Sequence, residues 1–199
     1  MTNSGWRLVV GLALLTALNL SGQGVGVVSF TSVGAPVNKR IMDPTCAFAS
    51  GTAYRVALYW GAATETDDRN LTQIGASTTF LTGASAGTYF GGGRTIVTPG
   101  SAVNGPVLAF QVRGWNSAAG ATWEEALASS SGYGGKGPIF TLKTKDPNNA
   151  LETTPNLWTA PGYQGFTIWW ESCPIIPEPS SIALTILAAA FLLFRRRAQ

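Results

Sequence analysis

The chain contains no histidine and so lacks the commonest general base, which leaves its carboxylates as the first candidates for acid–base catalysis. Without histidine, Ser-His-Asp chemistry and most zinc sites are excluded. A hydrolase that works with carboxylates alone needs two of them about 5–10 Å apart in a cleft. The acids considered for such a pair are Glu65, Asp67, Asp68, Glu124, Glu125, Asp146, Glu152 and Glu171. Their spacing singles out no pair, and we predict that the protein is not an enzyme.

Two groups of acids stand close together in the sequence. Glu124 and Glu125 are consecutive, and consecutive helical positions point about 100° apart, so they would not converge on one substrate bond. Glu65, Asp67 and Asp68 could offer oxygen ligands to calcium, but the spacing and glycine of an EF-hand are absent. We therefore predict no metal site and no cofactor.

Tryptophan is the other residue type that suggests a binding function. The body of the chain has six, which are Trp60, Trp115, Trp123, Trp158, Trp169 and Trp170. Indole rings exposed on a sheet can stack on sugar rings, and in an extended "IWW" segment Trp169 and Trp170 point to opposite faces. The candidates for a glycan-binding surface are Trp115, Trp158, Trp169 and Trp170. The alternative is that these large rings fill the core.

The cysteines Cys46 and Cys173 lie 173 − 46 = 127 positions apart, too far for a CxxC site. In an oxidising compartment they could pair, and closing so long a loop would stabilise the fold by about 4–5 kcal/mol in the chain-entropy model. The alternative is two buried free thiols.

The net charge of +3 comes from the two ends of the chain. Without Arg7 and the arginines at 195–197, 13 − 4 = 9 basic residues stand against 10 acidic ones. Nucleic-acid binding requires a basic face or stripe. We predict no nucleic-acid partner.

Short apolar runs with alternating polarity dominate residues 24–174. In "YRVALYW" the apolar residues from Tyr54 to Trp60 recur at every second position, which is typical of a half-buried strand. The predicted strands cover residues 25–33, 54–60, 72–81, 87–97, 106–115, 138–144 and 165–170. Turn-rich segments separate them, including a predicted loop, "GYGGKG", at 132–137. This pattern predicts an all-β domain, a single antiparallel β-sandwich of the Greek-key or jelly-roll type.

One short helix is predicted within this domain, at residues 122–129. Thr122 has the position of an N-cap, and Glu125 three residues later completes a capping box. Acidic residues in the first turn also favour the helix dipole.

The N-terminus has the pattern of a secretory signal peptide. Arg7 precedes an apolar run at 8–20, and the small residues Ser21, Gly22 and Gly24 follow. Basic, apolar and small residues in this order are typical of a segment removed on export, and the run is short for a membrane span. We predict a hydrophobic signal helix within residues 1–23.

The C-terminus also has an ordered pattern. Its three parts are the box Pro177-Glu178-Pro179, the apolar segment 180–194, and Arg195, Arg196 and Arg197. As a helix, the 13 residues at 182–194 would reach about 20 Å, against a hydrocarbon core of about 30 Å. This arrangement over residues 177–199 resembles the PEP-CTERM sorting signal of exopolysaccharide-producing Gram-negative bacteria.

The resemblance implies that an exosortase recognises the box, cuts near it and releases the body of the protein. Residues 175–199, with their short transmembrane helix, would then occupy the inner membrane only transiently through 180–194. The mature protein would be exported to the cell surface or the extracellular space. We expect three parts: a signal peptide at 1–23, a β-sandwich at 24–174 and the sorting signal at 175–199.

Three hypotheses for the function follow. The favoured one is a structural or adhesive component of the cell surface or of the extracellular polysaccharide matrix. The alternative is a carbohydrate-binding module that uses exposed tryptophans to bind extracellular polysaccharide. The third is a secreted hydrolase that depends on carboxylates.

Overall fold

The computed structural model describes residues 23–99, 101 and 103–169. This part of the chain forms antiparallel β-structure in two sheets with one short α-helix. The elements are β1 (Gly24–Thr31), β2 (Tyr54–Ala62), β3 (Thr72–Thr79), β4 (Phe90–Thr98), β5 (Val107–Asn116), α1 (Trp123–Ala128), β6 (Gly134–Lys136) and β7 (Phe140–Lys143). The prediction of an all-β protein with one short helix is confirmed.

The strands form a two-stranded sheet and a five-stranded sheet. β1 pairs with β4 in the first, and the second has the order β3-β2-β5, with β6 and β7 both paired to β5. β1 is bridged on its other side by the chain that follows β7. There the backbone N–H of Val27 donates to the carbonyl of Lys145, and that of Ser29 donates to the carbonyl of Pro155. Because β1 and β4 belong to one sheet and the strands between and after them belong to the other, the chain crosses between the sheets several times.

The inner face of the five-stranded sheet, defined by Val56, Leu58, Leu108, Phe110 and Val112, carries the main core. These side chains alternate along β2 and β5, as the period of a strand requires. They pack in one buried cluster with side chains of the smaller sheet, which are Val28, Phe30 and Ile96. The two sheets thus share a single hydrophobic core.

The outer face of the same sheet, defined by Ala57, Tyr59, Gln111, Arg113 and Trp115, is also largely buried. Helix α1 covers it, and Trp123 and Ala126 of the helix belong to a second apolar cluster with Ala57, Tyr59, Leu71 and Trp115. The predicted capping box is confirmed, because Thr122 Oγ1 accepts from Glu125 N, and the Glu125 carboxylate accepts from Thr122 N.

Two predictions about strands are wrong. Residues 165–170 do not form a strand where they are described, since this segment makes only an isolated parallel bridge between Met42 and Thr167. The predicted loop at 132–137 instead contains β6. A Cβ on Gly135 would lie 1.8 Å from the Thr167 carbonyl oxygen, so glycine is needed there for close packing rather than for a turn.

The proposed cleavable ends lie outside the described residues, together with Trp170, Cys173, the box at 177–179 and the arginines at 195–197. In the part of the chain that the structure does describe, no helix has the length and hydropathy to cross a bilayer.

Candidate functional site

A cleft of about 770 Å³ opens on the outer face of the five-stranded sheet. Its polar lining consists of Glu65, Thr66, Asp68, Gln111, Lys136 and Thr141. Its apolar lining includes Ile139, Phe140 and Pro161. The volume lies within the range of about 300–1,000 Å³ that is usual for small-molecule sites.

The cleft lies where the β-ladder along one side of β5 is interrupted. β6 pairs with Arg113 to Trp115, and β7 pairs with Val107 to Phe110. Between the two strands, Pro138 has no N–H to donate to a ladder. The side chain of Gln111 faces this gap, and its Nε2 donates to the carbonyl of Gly137 at 3.0 Å.

The loop at 65–70 forms one wall of the cleft, and its own carboxylates hold its shape. Glu65 Oε1 accepts from the backbone N–H groups of Thr66 at 3.0 Å and Asp67 at 2.9 Å. Asp67 caps a short 3-10 turn by accepting from Arg69 N at 3.0 Å. Asn70 Nδ2 donates to Glu65 Oε2 at 3.3 Å. The cleft side chains of this loop are therefore held on a braced backbone.

An ion pair joins this loop to β6. Lys136 Nζ donates to Asp68 Oδ2, with the lysine side chain 48% exposed and the aspartate 29% exposed. The hydrogen bond from Lys136 lowers the pKa of Asp68, so Asp68 is ionised at neutral pH. An ionised carboxylate cannot donate the proton that a carboxylate-dependent glycosidase needs from its acid.

Arg113 lies behind the cleft and is nearly fully buried. Its Nε donates to Gln111 Oε1 at 2.8 Å, and its Nη2 donates to the backbone carbonyl of Asp68. The guanidinium stacks over the ring of Tyr59, 3.9 Å from the centroid. Glu124, whose side chain is 64% exposed, comes within 3.9 Å of Arg113 Nη1. Arg113 therefore holds in place both Gln111 and the loop at 65–70, which line the cleft.

Tyr59 links this buried group to helix α1. Its hydroxyl lies 3.1 Å from Glu124 Oε1 and 3.3 Å from Gln73 Oε1. Burial, followed by the charge of Glu124, raises the pKa of Tyr59 well above its usual value. The phenol stays protonated and serves as a hydrogen-bond donor.

Of the four tryptophans predicted to bind glycans, Trp170 lies outside the described residues, and Trp115 and Trp158 pack in different clusters. Trp115 is fully buried, and its indole N–H donates to the Gly120 carbonyl at 3.0 Å, so the prediction that it is exposed to a glycan is wrong. It belongs to the cluster on the outer face, whereas Trp158 packs against the main core. Trp158 and Trp169 are half-buried, and Trp169 makes an edge contact with Tyr133 at 5.0 Å. A role for Trp158 and Trp169 stays a prediction.

The predicted disulfide stays a prediction as well. Within the described residues no cysteine is a free thiol, but Cys173 lies beyond them. Cys46 has a positive φ of 64°. Its loop is held by Asp43, whose Oδ1 accepts from Thr45 N at 2.8 Å.

Apart from Glu171, which lies outside the described residues, the acids considered for catalysis or calcium binding have structural partners. Glu125 closes the capping box, and Glu152 pairs with Lys143 at 3.3 Å. Among residues 23–99, 101 and 103–169, no group of three or more His, Cys, Asp or Glu side chains could hold a metal ion. Glu65 and Asp68 are the two acids that the structure brings to one cleft.

Gln111, Arg113 and Lys136 were not identified from the sequence as site residues. One signal for the first two was available: Gln111 and Arg113 are the polar residues on one face of an otherwise apolar strand, "VLAFQVRGW". Lys136 offered no such signal, because its segment has the composition of a loop.

No family model, curated protein or solved structure matches this chain.

Proposed function

We propose that this protein is an exported, non-enzymatic component of the cell surface or of the extracellular polysaccharide matrix, structural or adhesive in type. The observation that carries the proposal is the ordered C-terminal pattern of a Pro177-Glu178-Pro179 box, an apolar segment and an arginine cluster. A signal peptide at 1–23 would start its export, and an exosortase would process it at 175–199. The body would be left outside the inner membrane.

We also propose that the two antiparallel sheets form one β-sandwich of the Greek-key or jelly-roll type. The shared core of Val28, Phe30 and Ile96 with Leu58 and Phe110 supports this proposal. So do the connections that cross between the sheets.

The sorting box can be tested in the native host. Replacing Pro177, Glu178 and Pro179 with alanine should leave the unprocessed protein in the membrane fraction, whereas the unchanged chain should reach the surface or medium. Pro174→Ala, just before the box, is the matched control and should be processed normally. Equal processing of the triple variant and the control would contradict the proposal.

The second candidate function is a carbohydrate-binding module. Trp158 and Trp169 favour it because they are only partly buried, and amphipathic aromatic rings are suited to stacking on sugars. A glycan array with Trp158→Ala and Trp169→Ala tests it. Glycan binding that survives both substitutions would exclude these tryptophans as the binding surface.

A further inference from the structure

The cleft on the outer face brings together side chains of mixed hydrogen-bonding character. Glu65 and Asp68 accept, Lys136 donates, and the amide of Gln111 can do both. Thr141 adds a hydroxyl on an exposed strand position. Ile139 and Pro161 form an apolar border beside these groups. A ligand for this cleft therefore needs both a polar rim and an apolar face.

These polar groups are held in place before any ligand arrives. Gln111 is only 3% exposed, and its amide is fixed at both ends, by Gly137 and by Arg113. Asp68 is fixed through its carbonyl by Arg113 and through its carboxylate by Lys136. An ammonium has three N–H donors, so Lys136 keeps donors for a ligand while it is bound to Asp68. Preorganised groups of this kind reduce the entropy lost on binding.

The charges of the lining discriminate between classes of ligand. Two carboxylates and one ammonium give the lining a formal charge of 1 − 2 = −1, and the Arg113 guanidinium behind the lining lies beside the carboxylate of Glu124. An anionic ligand would meet Glu65 and Asp68 and would have to compete with Asp68 for Lys136, which is unfavourable. A hydroxyl is suited to this lining, because it donates to a carboxylate and accepts from an ammonium at the same time.

We propose that the cleft binds a neutral saccharide unit. Ring hydroxyls would bridge Asp68 and Lys136 and reach Gln111 and Thr141, while the apolar face of the ring would rest on Ile139. This site is distinct from the tryptophans predicted from the sequence. It also does not depend on the sorting signal, so the two proposals can fail separately.

The test uses the full chain, purified in a zwitterionic detergent because sugar-based detergents would compete for the site. Maltotriose, cellotriose and chitotriose are the neutral probes, and trigalacturonate is the anionic one. Titration calorimetry should give a Kd between about 10 µM and 1 mM for at least one neutral trisaccharide. Trigalacturonate should bind more weakly. The absence of binding by all three neutral probes at about 10 mM would overturn the proposal.

Matched variants place the binding in the cleft. Lys136→Met should weaken it by about tenfold or more, because one hydrogen bond to a charged group is lost. Lys143→Met is the control, since Lys143 also lies on a strand and pairs with an acid, Glu152, but does not line the cleft. Equal affinities of these two variants would contradict the assignment.

A second pair of variants avoids any change of charge. Thr141→Val removes a hydroxyl from an exposed strand position in the cleft, and Thr95→Val does the same on β4, away from it. The first should weaken binding several-fold, and the second should not. If Trp158→Ala abolishes binding while Lys136→Met and Thr141→Val leave it unchanged, the tryptophan surface is the site and the cleft is not.

Discussion

The inner and outer faces of the five-stranded sheet are formed by alternating residues of the same strands, yet they differ in what they bury. The inner face contributes the apolar side chains of Val56, Leu58, Leu108, Phe110 and Val112 to the shared core. The outer face buries Gln111 and Arg113 beside Tyr59 and Trp115. Buried polar groups lose their hydrogen bonds to water, and their burial costs free energy unless hydrogen bonds within the protein replace those to water.

This difference indicates what each face contributes. The inner face stabilises the fold through apolar burial, and its residues are interchangeable in kind if volume is kept. The outer face holds a network in which Arg113 fixes the positions of Gln111 and Asp68. Such a network is specific in geometry, and it lies directly behind the cleft. The inner face therefore mainly stabilises the fold, whereas the outer face positions the residues that line the cleft.

The largest expected effect is on the inner face. Phe110→Ala should lower the free energy of unfolding by about 3–5 kcal/mol, because it opens a cavity among Leu58, Val112 and Phe140. Val107→Ala, on the same strand but 49% exposed, should change it by less than about 0.5 kcal/mol. Urea denaturation measures both. Similar values for the two variants would break the distinction between buried and exposed positions of β5.

The next effect is on the outer face. Arg113→Met should lower the free energy of unfolding by about 2–4 kcal/mol, since it leaves the Gln111 amide oxygen and the Asp68 carbonyl without their donor. Arg69→Met, at an exposed ion pair with Asp67, is the control and should cost less than about 0.5 kcal/mol. If Arg113→Met proves as stable as the original chain, the buried network is not needed for folding and the comparison fails.

A smaller effect is expected at the start of helix α1, which covers the outer face. Thr122→Ala removes the side-chain acceptor of the capping box and should cost about 1 kcal/mol by thermal or urea unfolding. Thr122→Ser keeps the hydroxyl and should restore most of the loss. A serine variant no better than alanine would mean that the cap does not stabilise the helix.

The smallest effect concerns the rim of the cleft and depends on pH. Lys136 lowers the pKa of Asp68 in the folded protein, so the stabilisation is present above the unfolded pKa of about 3.9 and is lost as the pH falls through the folded value. Because both side chains are partly exposed, Asp68→Asn should cost less than about 1 kcal/mol at pH 7. The difference between the two proteins should narrow below about pH 4. A difference that stays constant down to pH 2 would contradict the ion pair.

The strands of the inner core could be predicted from the sequence, and the cleft could not. Alternation along "YRVALYW" and "VLAFQVRGW" is a local property that predicts β2 and β5 and assigns each residue to a face. The capping box at Thr122 and Glu125 is local as well. The Asp68–Lys136 pair joins residues 68 positions apart, and nothing local to either predicts the contact. The fold therefore follows from short-range patterns, whereas the cleft depends on how distant segments pack.

The two errors in the strand assignments have the same origin. "GYGGKG" has the composition of a loop, but its glycines allow β6 to approach Thr167 and Trp123 closely. "GFTIWW" has the composition of a strand, but its described residues form an isolated bridge to Met42, through the Phe166 carbonyl and Ile168 N–H. In both cases tertiary packing overrides local preference.

The central claim, that the chain is exported and processed at both ends, is tested most directly by the intact mass of the protein recovered from its native host. The account predicts a mass well below the 20.8 kDa of the full chain, corresponding to a body that begins near residue 24 and ends near the box at 177–179. Reduction should add two protons if Cys46 and Cys173 are paired. Recovery of the intact 199-residue chain would contradict the account.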